Sequence, residues 1–95
     1  MPHENLIYAV NAHQLSNNEQ EDIIILIYAA SAEIAKNHIT VYQQQNQIRL
    51  QYSFLPLPLN TYFQRHADET LIAQLKTTAQ ELSEQHPVII FNPNQ

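Results

Sequence analysis

Three observations predict an α+β fold for this chain of 95 residues. Short segments of alternating polarity stand near both ends and in the middle. Longer segments with apolar residues at helical spacing lie between them. Each of these longer segments is preceded by a residue suited to cap a helix. Helices packed on one face of an antiparallel sheet would bury all of these apolar stripes at once.

Asn5 to Ala12 alternates, with Leu6, Tyr8 and Val10 on one face and Ile7, Ala9 and Asn11 on the other. That is a strand pattern. Ser16-Asn17-Asn18-Glu19 has the spacing of a capping box, in which the serine hydroxyl accepts from the Glu19 amide. Glu19, Glu21 and Asp22 then suit the positive end of a helix dipole. A helix from there to about Asn37 would align Ile23, Ile27, Ala30 and Ile34. A strand over Ile23–Tyr28 is the competing assignment, because β-branched isoleucines are poor helix formers.

His38 to Gln44 and Gln47 to Phe54 read as two further strands. Gln45-Asn46 lies between them, and asparagine tolerates the left-handed conformation that a tight turn needs. In Leu55-Pro56-Leu57-Pro58-Leu59 each residue before a proline is pushed to extended geometry, so Leu55 to Ala67 reads as a long connection. Asp68 caps a second helix with Leu71, Ile72, Leu75, Ala79 and Leu82 as its stripe, ended by Pro87. Val88 to Asn92 is a last strand, stopped by Pro93. The order strand, helix, strand, strand, helix, strand is the arrangement called ferredoxin-like. It is a two-layer sandwich, with a four-stranded antiparallel sheet carrying both helices on one face. Residues 1–95 form one domain on this reading.

Composition removes several functions. The chain has no glycine, where about seven would be average. Walker loops, dinucleotide fingerprints and nucleophile elbows all need glycine where the backbone bends sharply or approaches a ligand. No cysteine is present, so disulfides, thiolate metal sites and cysteine nucleophiles are excluded. The net charge of −5 opposes binding to nucleic acid or anionic lipid. An RNA-recognition sheet would stack bases on aromatics, but Arg49, Gln51 and Ser53 occupy the polar face of the third strand. The longest apolar run, Ile23 to Ala30, is far short of the roughly 20 residues that span a bilayer. No basic segment followed by an apolar one opens the chain, so a cytoplasmic location is expected.

Leu6-Ile7-Tyr8 is similar to the opening strand of blue-light flavin-sensing domains, and Gln51 falls near their third-strand glutamine. Their glycine-bounded turn is missing, and Arg49 stands where they carry an aromatic. No flavin or other cofactor is expected. Among the histidines, none has the spacing of a helical or strand ligand pair. The expected topology would gather His3, His38 and His66 at one end of the domain as a candidate metal site. The only aspartates, Asp22 and Asp68, read as helix N-terminal charges, and no catalytic set is expected.

Partner binding is the leading functional expectation. Ile25 and Tyr28 give the first helix more apolar surface than a two-layer domain buries, and Leu57, Leu59, Tyr62 and Phe63 lie in a connection. These six residues are the expected interface of a cytoplasmic interaction or regulatory module that binds a protein partner and forms a homodimer. The competing reading makes the 55–67 segment a cover over the core. The alternative function is a small-ligand or metal sensor with its site at a dimer interface.

Overall fold

The computed structural model describes residues 6–16 and 19–93. It is an α+β fold with a five-strand antiparallel sheet, open rather than closed into a barrel, and three helices. Strands β1 (Ile7–Ser16) and β2 (Glu19–Tyr28) form a long hairpin. Helix α1 (Ala32–Asn46) follows, then β3 (Arg49–Gln51) and β4 (Leu57–Pro58). Helices α2 (Leu59–His66) and α3 (Glu69–Ala79) lead into β5 (Val88–Phe91). The strand order is β3-β1-β2-β5, with β4 also paired to β1. The element order is therefore β-β-α-β-β-α-α-β, not the ferredoxin-like order expected from the sequence.

The largest correction concerns residues 19–28. They form a central strand, not a helix, because both faces of the sheet are covered. On one face Ile7 and Ala9 of β1 and Ile24 and Leu26 of β2 meet Leu59, Tyr62 and Phe63 of α2 and Leu75 of α3. On the other, Val10, Ala12, Ile23, Ile25 and Ile27 meet Ala35 and Ile39 of α1. A strand buried on both sides is apolar at every position. Its residues at i and i+4 therefore also match a helical stripe, and periodicity alone cannot separate the two. The β-branched isoleucines favour the strand. Ser16 and Glu19 are opposite each other across the hairpin. A capping box and a hairpin with two loop residues share the same spacing; Asn17 and Asn18 themselves lie outside the described residues.

The second correction is α1, where a strand over 38–44 was expected. Ser31 is its N-cap, and the side chain accepts from the Ile34 amide at 3.2 Å. Ala35, Ile39 and Tyr42 fall on its inner side at helical spacing, with Ala35 and Ile39 fully buried. The left-handed residue is Gln47, at φ 54°, and it ends this helix rather than turning a hairpin at Gln45-Asn46. A chain without glycine must accept the cost of a β-carbon there. The Gln43 side chain helps to hold the turn by accepting from the Leu50 amide at 2.9 Å.

The strand expected over 47–54 shortens to Arg49–Gln51, and Phe54, expected on its apolar face, is exposed. Asp68 caps α3, accepting from the Leu71 amide at 2.8 Å. The helix ends at Ala79, earlier than Pro87 would impose, while Leu82 still reaches the core. β5 falls where expected. No helix among the described residues is long and apolar enough to cross a membrane.

Candidate functional site

The expected interface residues lie inside the molecule. Ile25, Leu59, Tyr62 and Phe63 are buried, and Tyr28 and Leu57 are partly buried against them or their neighbours. The physical reason is that 55–67 is not a loose connection. It supplies β4 and α2, whose apolar side packs on the sheet. The reading of this segment as a cover over the core describes it better.

Of the proposed metal ligands, His38 and His66 are not brought together. His3 lies outside the described residues. His38 is on α1 and His66 ends α2, and these helices cover opposite faces of the sheet. Among the described residues no group of three histidine or acidic side chains could hold a metal ion.

A different site forms beside β1. β3 pairs Gln51 with His13, and β4 pairs Leu57 with Ala9. Residues 52–56 thus run opposite only residues 10–12, so β3 and β4 act as one edge strand interrupted by a two-residue bulge. Pro56 is buried and Tyr52 half-buried, which anchors both ends of the bulge. Between them Phe54 is 80% exposed and Leu55 53% exposed. An aromatic side chain so open to water, beside a leucine, is the most prominent apolar feature of the described surface.

The bulge borders a cleft of about 1110 Å³. Its walls include Ile24, Phe54, Leu55, Leu57 and Leu71; its polar groups include Asn11, His13, Asp22, Gln51, Arg65 and His66. Strand geometry explains this convergence. Asn11 and His13 continue the alternate positions begun by Ile7 and Ala9 on the same face of β1. His13 is the cross-strand partner of both Asp22 and Gln51, so a polar row crosses three strands. His13 Nδ1 lies 2.7 Å from Asp22 Oδ1. That nitrogen is buried, and the contact is an ion-pair approach rather than an aligned hydrogen bond.

Helix α2 supplies the other side. The Tyr62 ring is in the core, and its hydroxyl donates to Asn11 Oδ1. The Tyr62 and His66 rings are 5.2 Å apart, centre to centre. Arg65 makes no ion pair with any described residue. Alternation in β1 was the signal that could have located this site: two polar residues, Asn11 and His13, interrupt one apolar face at i and i+2.

Burial pushes the Tyr62 phenol up to about 12. The folded chain keeps this proton where the unfolded chain, titrating near about 10, has released it. Stability contributed by Tyr62 is thus complete below about pH 10 and falls as pH rises to about 12, by up to about 2–3 kcal/mol. Tyr52, also raised by burial, acts in the same direction. Tyr62→Phe should cost about 1 kcal/mol at neutral pH and reduce this alkaline loss. Urea denaturation at about pH 8 and about pH 11 measures both effects. An unchanged alkaline loss in the variant would contradict the assignment.

No family model, curated protein or solved structure matches this chain.

Proposed function

We propose that this chain is a protein-interaction module whose contact surface is the bulged edge of its sheet. The observation that carries the reading is Phe54, 80% exposed on a bulge anchored at both ends. Aromatic anchors beside a pocket dominate the energetics of many protein interfaces. Here Phe54 and Leu55 enter the partner, and the cleft beside them receives partner side chains. Self-association would bring two such bulges together, since the residues first expected at a dimer interface are internal. A cytoplasmic setting is part of the proposal and fits a chain without cysteine.

The cleft also supports a second reading, a small-ligand sensor. Its size suits a small molecule, and several polar side chains converge in it. A thermal-shift screen of metabolites addresses that reading: a ligand at 100 times its dissociation constant should stabilise the fold by about 2.7 kcal/mol.

Affinity capture from the native host with wild type, Phe54→Asp and Val41→Asp tests the leading reading. Val41 is an exposed apolar residue on α1, across the sheet from α2. Wild type and Val41→Asp should retain a common partner that Phe54→Asp loses, with all three melting within a few degrees of one another. Partner sets that do not differ between the two variants would contradict the proposal.

A further inference from the structure

Resting on the reading of the cleft as a binding surface, we propose that it takes a carboxylate carried on an apolar body. The ligand is either the free C-terminus of a peptide ending in an apolar residue or a small carboxylic acid of the same kind.

The cleft does not share the acidic balance of the chain. The whole sequence carries −5. Asp22 is the one acid lining the cleft among the described residues, and His13 stands against it at 2.7 Å. Arg65 also lines the cleft and has no such partner among the described residues. Arg65 is thus the cation of the lining that no carboxylate of the described residues engages. Arginine presents a planar fork of donors that matches the two oxygens of a carboxylate.

A second donor is fixed nearby. The amide oxygen of Asn11 accepts from Tyr62, which leaves the amide NH₂ as the uncommitted half of an exposed side chain. Burial keeps the Tyr62 hydroxyl protonated and therefore donating, so the orientation of the amide is set from the core. A guanidinium and an amide NH₂ thus line one cleft as acceptor-seeking groups. They suit a single negative charge. A phosphate dianion would need more cationic groups or a cradle of backbone amides, and it would meet the repulsion of an acidic chain. The apolar body of the ligand would lie on Ile24, Leu71 and Leu57, with Phe54 at the margin.

The test uses three probes: acetyl-alanyl-alanyl-leucine, its C-terminal amide, and acetyl-leucine. Each is titrated into the ¹⁵N-labelled full chain and followed by amide and side-chain resonances. The peptide acid should shift Asn11, His13 and Arg65 and bind at least about tenfold more tightly than the amide, as loss of one charge-assisted hydrogen bond implies. Arg65→Gln, at an exposed position, should fold normally and erase the preference for acid over amide. A tripeptide acid that binds more tightly than acetyl-leucine identifies a peptide C-terminus as the source; equal affinities identify a small acid. Equal binding of acid and amide, an acid preference that survives Arg65→Gln, or no binding of any probe would each overturn the inference. In all three cases, partner capture that depends on Phe54 would still stand, so failure here is distinguishable from failure of the protein-interaction reading.

Discussion

Ile25→Glu should leave no cooperatively folded protein at room temperature. Ile25 is fully buried, packed within the α1 side of the sheet, and pairs across the ladder with Val10 on β1 and Ile90 on β5. The buried residues of its cluster are all apolar, so a carboxylate there would be desolvated without a counter-charge among them. Its burial costs several kcal/mol, comparable to the roughly 5 kcal/mol at the lower end of domain stabilities. Far-UV circular dichroism should show a coil spectrum without a melting transition. A folded monomer with native helicity would instead place Ile25 at a surface, as a dimer interface requires, and would contradict the central-strand assignment.

The second large effect separates the two faces of the sheet. Leu75 of α3 and Ile39 of α1 are both fully buried, in different clusters. Leu75→Ala and Ile39→Ala should each cost about 2–5 kcal/mol, the usual range for large-to-small changes in a core. The sheet stands between the two sites, so the costs should add within about 0.5 kcal/mol in the double variant. Where the double variant is too unstable to measure, the two single variants suffice. Urea midpoints measure these losses. A cost below about 1 kcal/mol for Ile39→Ala would mean that α1 does not cover that face, as in a two-layer domain.

The legibility of this fold depends on which elements are half-buried. β1, α3 and β5 were readable because each pattern had a single interpretation. β1 alternates, Asp68 caps a clean stripe, and Pro87 and Pro93 bracket a short apolar run. β2 shows no strand alternation because its apolar run faces helices on both sides. A helix over 19–37 leaves His38-Ile39-Thr40-Val41-Tyr42 to a strand on its β-branched content. Tertiary packing of Ala35, Ile39 and Tyr42 outweighs that local preference.

The site was illegible for a related reason. Its polar groups come from β1, β2, β3 and α2, and only the correct hairpin register puts His13 beside both Asp22 and Gln51. With Asp22 assigned to a helix N-terminus, its pairing with His13 could not be foreseen. Histidines were grouped by the ends of elements that prove to lie on opposite faces. The apolar residues of 54–63 divide between inside and outside, which composition does not show. Leu59, Tyr62 and Phe63 turn inward on α2, while Phe54 and Leu55, just ahead of Pro56, remain outside.

That division is the core of the account, and solvent accessibility in solution tests it most directly. A soluble paramagnetic probe, added to ¹³C-labelled protein, attenuates each side-chain resonance according to its exposure. Phe54 and Leu55 should be the most strongly attenuated of the large apolar side chains, while Ile25, Leu59, Tyr62 and Phe63 should be nearly unaffected. Strong attenuation of Leu59, Tyr62 and Phe63 with protection of Phe54 would contradict it, and would return the contact surface to the segment first expected to carry it.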